Sequence, residues 1–181
     1  MSNKAVFLDR DGVINVDHAY VHKPEDFEFI AGVFAACRSF QQRGYRLIIV
    51  TNQSGIARGY YSEQQFAELT TWMKEQFLQH DVRIDEVYYC PHHPTKGIGD
   101  YRQQCGCRKP EPGMLQRGIA AFNLDPEHCV MVGDKHGDIQ AAQRCGIGTK
   151  VLVRSGQKFD QKAQSDADYT CDALADVPAL L

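Results

Sequence analysis

The sequence predicts an α/β fold, a parallel sheet with helices on both faces, and three observations predict it. Short apolar runs at Ala5 to Leu8, Leu47 to Val50, Val87 to Tyr89, Cys129 to Val132 and Lys150 to Val153 alternate with segments whose apolar residues recur at helical spacing. Glycines punctuate the joins: Gly12, Gly44 and Gly146 stand where a strand or a helix must stop. Four of the runs end on residues that carry chemistry, Asp9, Thr51, Cys90 and Asp134, so one edge of the sheet collects them. In open α/β sheets, ligands bind at the carboxyl ends of the strands.

The 181 residues, 43% of them hydrophobic, suit one domain over 1-181 with a single sizeable core. No apolar run is long enough to span a bilayer, and Met1 to Lys4 lead straight into the first strand without a secretory or transit signal, so a cytoplasmic location is expected. A formal net charge of −3, with no basic run and no interleaving of basic and aromatic residues, excludes a general nucleic-acid binder. No long apolar stripe is left unassigned, which predicts a monomer. Seven cysteines is a high and odd count for a reducing compartment, and Cys90, Cys105 and Cys107 cluster, which points to metal rather than to a disulfide framework.

In chain order, the first run delivers Asp9 and Asp11 to the sheet edge, with Gly12 letting the chain turn sharply. Two carboxylates there suit divalent metal and phosphate chemistry, although acids at strand ends also serve as turn formers and caps. Val13 to Phe29 is too irregular for a helix and is expected to lie over the same edge. Gly32 to Arg43 spaces Val33, Phe34, Cys37 and Phe40 as a helix does, and Gly44 ends it. The second run brings up Thr51-Asn52-Gln53-Ser54-Gly55, which can wrap a phosphoryl group or simply form a polar turn. Ser62 to Gln65 reads as a capping box that opens an amphipathic helix, with Phe66, Leu69, Met73 and Phe77 as its core stripe and Trp72 partly buried.

The third run leads into Cys90-Pro91-His92-His93-Pro94 and a polar stretch that ends at Cys105-Gly106-Cys107. Three thiols and a histidine in a loop of about 90-107 with little apolar content form a closed structural zinc set. Spacing alone does not separate His92 from His93. Arg108 and Lys109 follow the last ligand, fixed cations suited to an anionic group and to a transferring phosphoryl. Pro112 suits the first turn of a helix through about Phe122. The fourth run ends at Gly133-Asp134, where a third carboxylate completes an oxygen-rich site for Mg²⁺. Asp138 either supports that site or caps a helix from Ile139 to Cys145. The tail from Gln157 is expected to hold a short strand near Asp168 to Thr170 and a small terminal helix, without function, and Cys37, Cys129, Cys145 and Cys171 read as small core residues.

Taken together, Asp9-x-Asp11-Gly12, Thr51-Asn52, Lys109 and Gly133-Asp134-x-x-x-Asp138 resemble, in order and over nearly the whole chain, the four motifs of the haloacid dehalogenase (HAD) superfamily of phosphohydrolases, with no departure at any motif position. The resemblance implies a Rossmann-like sheet. The space between Asp9 and Thr51 leaves no room for an inserted cap domain. Phe7 to Gly12, Asp17 to Tyr20, Thr51 to Arg58, Tyr88 to Pro94 and Cys105 to Gly113 further resemble the zinc-stapled sugar-bisphosphate phosphatases of that superfamily, whose C-x-H, C-x-C pattern selects Cys90, His92, Cys105 and Cys107.

That resemblance implies an aspartyl-phosphate mechanism with Asp9 as nucleophile and Asp11 as general acid and base. Mg²⁺ is then held by Asp9, Asp134 and the carbonyl of Asp11, and the phosphoryl group by Thr51, Asn52 and Lys109. It assigns substrate contacts to Arg10, Asp17, His18, Ala19, Tyr20, Gln53, Ser54, Arg108 and Lys135. Two alternatives stand beside it: histidinol-phosphate phosphatase, whose cationic substrate Arg108 should repel, and a zinc-stapled binding module without catalysis.

Overall fold

A computed structural model describes residues 3–181; Met1 and Ser2, part of the lead-in read above, lie outside the described residues. Six strands, β1 (Ala5–Leu8), β2 (Arg46–Asn52), β3 (Glu86–Cys90), β4 (Val130–Gly133), β5 (Thr149–Val153) and β6 (Tyr169–Cys171), form one sheet in the order β3-β2-β1-β4-β5-β6. Every pairing is parallel. The chain works outward from β1 to β3 and then restarts on the other side at β4, so the switch point lies between β1 and β4. Leu8 is level with Ile49 on one neighbour and Val132 on the other. Asp9, Thr51 and Asp134 therefore leave the sheet within a residue of the same height.

Alternation along each strand divides the core between the two faces. Val6, Leu8, Leu47, Ile49, Val130 and Val132 pack under α1 (Val33–Gln42) and α3 (Glu63–Gln79), against Cys37, Phe40, Leu69, Met73 and Phe77. Phe7, Ile48, Val50 and Met131 face the other way, toward Met114 and Leu115 of α4 (Gly113–Ala121) and Ala141 and Ala142 of α5 (His136–Arg144). Burial on both faces is why these strands read as continuous apolar runs rather than alternating ones. Each large aliphatic or aromatic side chain so buried contributes about 1.5–3 kcal/mol relative to exposure. Cys37 and Cys129 are buried, and Cys145 and Cys171 are half-buried against these cores.

The Ser62 cap forms as read: its hydroxyl accepts from the Gln65 N–H, and the Gln65 amide oxygen accepts from the Ser62 N–H. Other elements differ from the sequence expectations. The polar stretch after Gln53 winds into a short helix, α2 (Ser54–Ala57), and α5 starts at His136 rather than at Ile139. A sixth helix, α6 (Gln161–Asp166), stands in the tail, capped by Asp160 accepting from the Ala163 N–H; it buries only Ala163, too little apolar signal to read. The terminal helix, Leu174–Leu180, is of 3-10 type and contains Pro178, which lacks the N–H that an α-helix needs. No folded insertion separates β1 from β2, only the loop after Asp9 with one 3-10 turn at Pro24–Asp26, then α1. Among the described residues no helix is long and apolar enough to cross a membrane.

Gly118 lets α4 lie against the sheet, since a Cβ there would stand 2.9 Å from a ring carbon of Phe7. Glycine to alanine inside a helix ordinarily gains up to ~1 kcal/mol. Here overpacking of about 1–3 kcal/mol should win, so Gly118→Ala is expected to lower stability to urea. A midpoint equal to or above that of the unmodified chain would show the contact to be soft.

Candidate active site

Three carboxylates and one ammonium meet at the carboxyl edge of β1 and β4. Asp9, Asp134 and Asp138 are buried, with one oxygen from each lying within 4.8 Å of the others. Lys109, also buried, donates to Asp9 Oδ1 at 3.0 Å and to the Val50 carbonyl at 2.8 Å, and pairs with Asp138 Oδ1 at 2.7 Å. Burial pushes the Asp9 carboxyl well above its ordinary pKa, the Asp138 and Asp134 charges add to that, and Lys109 opposes it. Asp134 is raised too, by burial and then by Asp138. Burial works against the Lys109 charge, yet Asp138 and Asp9 outweigh it and raise the ammonium pKa.

One cation does not balance three acids in a dry pocket. Asp134 Oδ2 accepts from the Gln157 N–H at 2.8 Å, whereas its Oδ1 is buried with no hydrogen-bond partner. An orphaned carboxylate oxygen beside a second carboxylate is a donor set that fits a small hard cation. Asp138 has no such vacancy. Its Oδ2 accepts from the N–H groups of Asp134 and Lys135, and its Oδ1 takes Lys109, so it caps α5 from inside the first turn and pairs with the lysine.

Asp11 stands apart from this cluster and faces the cleft. Its Oδ1 accepts from Arg10 Nη2 and Asn15 Nδ2, each at 3.0 Å, and its Oδ2 from Gln53 Nε2 at 3.2 Å. Burial alone would raise its pKa; the Arg10 charge and the three donors overcome that and hold it below the carboxylate norm. Gln53 also donates to Thr51 Oγ1 at 2.9 Å and accepts from the Tyr61 hydroxyl. Gly12 is required here, because φ is +88° and a Cβ would lie 2.5 Å from Asp134 Oδ2.

The cleft above Asp11 holds about 290 Å³. Asp17, Ala19 and Tyr20 form one wall, Asn52, Gln53 and Ser54 another, and Arg108 and Lys135 bring positive charge. A larger hollow of about 510 Å³ lies over His18 to Glu28; the smaller one is the candidate site because its lining residues Asp11, Arg108 and Lys135 flank Asp9, Lys109 and Asp134 along the chain, whereas none of the residues that line the larger hollow does. Two residues expected at the substrate do not present side chains to it. His18 turns to Glu28 at 3.2 Å, on the neighbouring hollow. Arg10 is buried, bonded to Asp11 and the Val21 carbonyl, and lies over the rings of Phe27 and Phe66, so its guanidinium belongs to the core. Three cleft residues, Arg58, Tyr61 and Gln157, escaped sequence reasoning. Arg58 and Tyr61 lie just beyond the Thr51 turn, but nothing local singled out Gln157, which reaches the cleft only through the loop after β5.

Cys90, His92, Cys105 and Cys107 converge as a second cluster. The three sulfurs stand 2.9 to 3.5 Å apart, beyond disulfide length, and His92 Nδ1 is 3.8 and 3.6 Å from Cys90 and Cys107. His93 is not among the converging ligands, and its Nδ1 accepts from the N–H groups of Thr95 and Lys96. Burial raises the Cys90 and Cys107 thiols. At Cys105 burial is outweighed by the N–H groups of Arg108 and Cys107 and by His92, and its pKa falls to about 7. Three sulfurs and one nitrogen fit a tetrahedral soft-metal site. The loop's exit is tied down as well. Asn52 Nδ2 donates to the Lys109 carbonyl at 3.1 Å and its Oδ1 accepts from the Lys109 N–H at 3.0 Å, so Asn52's side chain fixes the backbone that carries the lysine.

Comparison with known proteins agrees with this geometry. The hydrolase-like family model, HAD-hydrolase-like, matches residues 106–177. The D-glycero-beta-D-manno-heptose-1,7-bisphosphate 7-phosphatase of Vibrio cholerae serotype O1 is 51% identical over 181 residues, 100% of this chain and 97% of that protein. The enzyme of that name from Escherichia coli K12 is 51% identical over 174 residues, 96% of this chain and 91% of that one. A crystal structure of D,D-heptose 1,7-bisphosphate phosphatase from B. bronchiseptica, complexed with magnesium and phosphate, superposes with a TM-score of 0.83 at 31% identity, covering 98% and 97% of the two chains.

If the thiol cluster holds metal, a chelator should release three thiols to a disulfide reagent, Cys105 first because its thiolate forms near pH 7. Metal affinity should rise with pH, since ligand thiols must lose their protons. Thiol reactivity that chelator leaves unchanged would argue for a metal-free loop.

Proposed function

The chain belongs to the family of the D-glycero-beta-D-manno-heptose-1,7-bisphosphate 7-phosphatases within the HAD-like hydrolases, and on that premise we propose that it removes the 7-phosphate of the β-anomer of that sugar. It is a phosphoric monoester hydrolase. The observation that carries the reading is a single cleft in which Asp11, beside the Asp9–Lys109 centre, shares a wall with Arg108 and Lys135, as a substrate with two phosphates requires. The reaction serves the heptose precursor of bacterial lipopolysaccharide, in the cytoplasm, with the chain acting as a monomer and as one domain over 1-181.

Asp9 is the nucleophile. Its Oδ1 is held by the Arg10 N–H at 2.9 Å and by Lys109, which fixes the carboxylate's rotation for in-line attack on phosphorus. As the bond from phosphorus to the sugar oxygen breaks, Asp11 gives that oxygen a proton. In the second step Asp11 takes a proton from the water that attacks the aspartyl phosphate, which frees Asp9 and inorganic phosphate. Its donors favour the ionised form, which suits the second role; the negative ester arriving beside it favours the protonated form needed for the first. Thr51, the Asn52 N–H and the Lys109 ammonium receive the charge on the phosphoryl oxygens.

Asp9, Asp134 and the Asp11 carbonyl would hold Mg²⁺, which supplies the positive charge that lets an anionic nucleophile approach an anionic ester. Cys90, His92, Cys105 and Cys107 would hold a structural zinc. Asp17, Ala19, Tyr20, Gln53, Ser54, Arg108 and Lys135 contact the sugar and its other phosphate.

The deciding assay is Mg²⁺-dependent phosphate release from both anomers of heptose 1,7-bisphosphate, beside histidinol phosphate. Rapid loss of only the 7-phosphate from the β-anomer is expected, and Asp9→Asn should lower kcat roughly a thousandfold or more. Preference for histidinol phosphate would overturn the substrate, and turnover of no ester would favour a binding module. Arg108→Ala should raise KM for the bisphosphate about tenfold, one charge-assisted contact being worth about 1.5–3 kcal/mol. An equal rise for a monophosphate would show that Arg108 does not read the second phosphate.

A further inference from the structure

The loop that leaves β5, residues 154–157, is fastened to the catalytic edge at three points. Ser155 Oγ donates to the Gly12 carbonyl at 2.8 Å. Gly156 lies against both Gly12 and Asp134: a Cβ on Gly156 would collide with Asp134 Oδ2, and a Cβ on Gly12 would stand 2.8 Å from the Gly156 Cα. The Gln157 N–H donates to that same Asp134 oxygen at 2.8 Å. From this anchored backbone the Gln157 side chain reaches across the cleft and donates from Nε2 to Asp17 Oδ2 at 2.6 Å.

Asp17 is the first residue of the substrate wall, and its other oxygen accepts from the Ala19 N–H at 3.1 Å. That second bond spans a turn of uncommon backbone: Ala19 and Tyr20 have φ of +62° and +56°, a region that costs an L-residue of this type and persists only where surroundings fix it. Tyr20 is met by ring contacts, Tyr60 with centroids 4.8 Å apart and the Arg58 guanidinium at 5.7 Å, while His18 turns to Glu28 at 3.2 Å and the Val21 carbonyl, just past the turn, accepts from Arg10 at 2.8 Å. Tyr20 and Tyr60 are both exposed. The hydrogen bond from Gln157 thus ties Asp17, at the head of the turn, to the loop that is fastened to Asp134.

We infer that Gln157 is a positioning residue for substrate selection: it couples the Asp17–Tyr20 turn to Asp134 and so holds the sugar-facing wall in register with the reacting carboxylates. The inference rests on the phosphatase reading above and adds a determinant to it. Because the bond to Asp134 comes from the main chain, every replacement of Gln157 except proline retains it, and a side-chain change isolates the tie to the turn.

The test compares unmodified protein with Gln157→Ala on two Mg²⁺-supported substrates, heptose 1,7-bisphosphate and p-nitrophenyl phosphate, whose small ester does not need the sugar wall. The ratio of kcat/KM for the sugar to that for the small ester is expected to fall about tenfold, chiefly through KM, as for loss of one well-placed hydrogen bond in a binding wall. Parallel loss on both esters, or no loss on either, would overturn the inference. Hydrogen exchange over residues 17–22 supplies a readout that does not depend on the substrate. It should quicken in Gln157→Ala and in Gln157→Glu, where two carboxylates would face each other. Adding Asp17→Asn to Gln157→Glu exchanges donor and acceptor and should restore protection; exchange that is the same in all four proteins would overturn the tie. Should the unmodified protein show no preference for the sugar bisphosphate, the substrate reading fails while the exchange result still decides whether Gln157 holds the turn.

Discussion

The buried contact of the Lys109 ammonium with Asp9 and Asp138 is the interaction on which the rest of the catalytic edge depends. Ions of this kind are costly to remove from water, and their mutual attraction offsets the cost only when geometry and further hydrogen bonds are good. Both conditions are met by local structure: the sheet sets Asp9 and the Val50 carbonyl, the first turn of α5 sets Asp138, and three acceptors surround one ammonium. The arrangement still leaves excess negative charge; burial first, and then that charge, keep the Asp9 and Asp134 pKa values high, and Asp134 Oδ1 has no partner. The same imbalance that would destabilise an empty pocket makes it a place for a divalent cation and an anionic ester.

Lys109 itself lies on no regular element, which gives the thiol loop its purpose. The lysine follows Cys107 by two residues, and its backbone is clasped by the Asn52 side chain. Glu63, at the start of α3, accepts from the hydroxyls of Tyr89 at 2.5 Å and Tyr101 at 2.7 Å and so binds the loop to the sheet from the other side. A polar loop with little apolar surface cannot hold a side chain in place by packing; these polar ties do it instead, and a metal on the thiol cluster would add to them. In a fold without an inserted cap, such loops are also the walls of the cleft, so the device that places the lysine shapes the site that selects the substrate.

How much of this was legible varies with sequence range. The strand runs, the Ser62 cap, the thiol cluster and the sheet-edge acids all announce themselves within a few residues, through apolar periodicity, cap chemistry and ligand spacing. Asp138 was ambiguous because supporting a cation site and capping a helix call for the same residue type at the same place; in the structure it caps α5 and pairs with Lys109. Arg10 and His18 sit inside sequence stretches that resemble substrate-binding ones, yet one is turned into the core and the other toward Glu28. Short polar helices such as α6 bury too little to leave a pattern.

The sequence by itself determined the sheet edge and its chemistry, because a strand's end, a glycine turn and a carboxylate are specified by adjacent residues. Only the tertiary structure decided which side chains share the cleft. Gln157 and Asp17 are 140 residues apart, and Lys109 and Asp9 are 100 apart. Their meeting follows from strand order and loop path, and no local pattern encodes those long-range distances. Spacing alone did not separate His92 from His93; the family pattern selected His92, and the folded loop brings His92 to the sulfurs while His93 Nδ1 accepts from the Thr95 and Lys96 N–H groups.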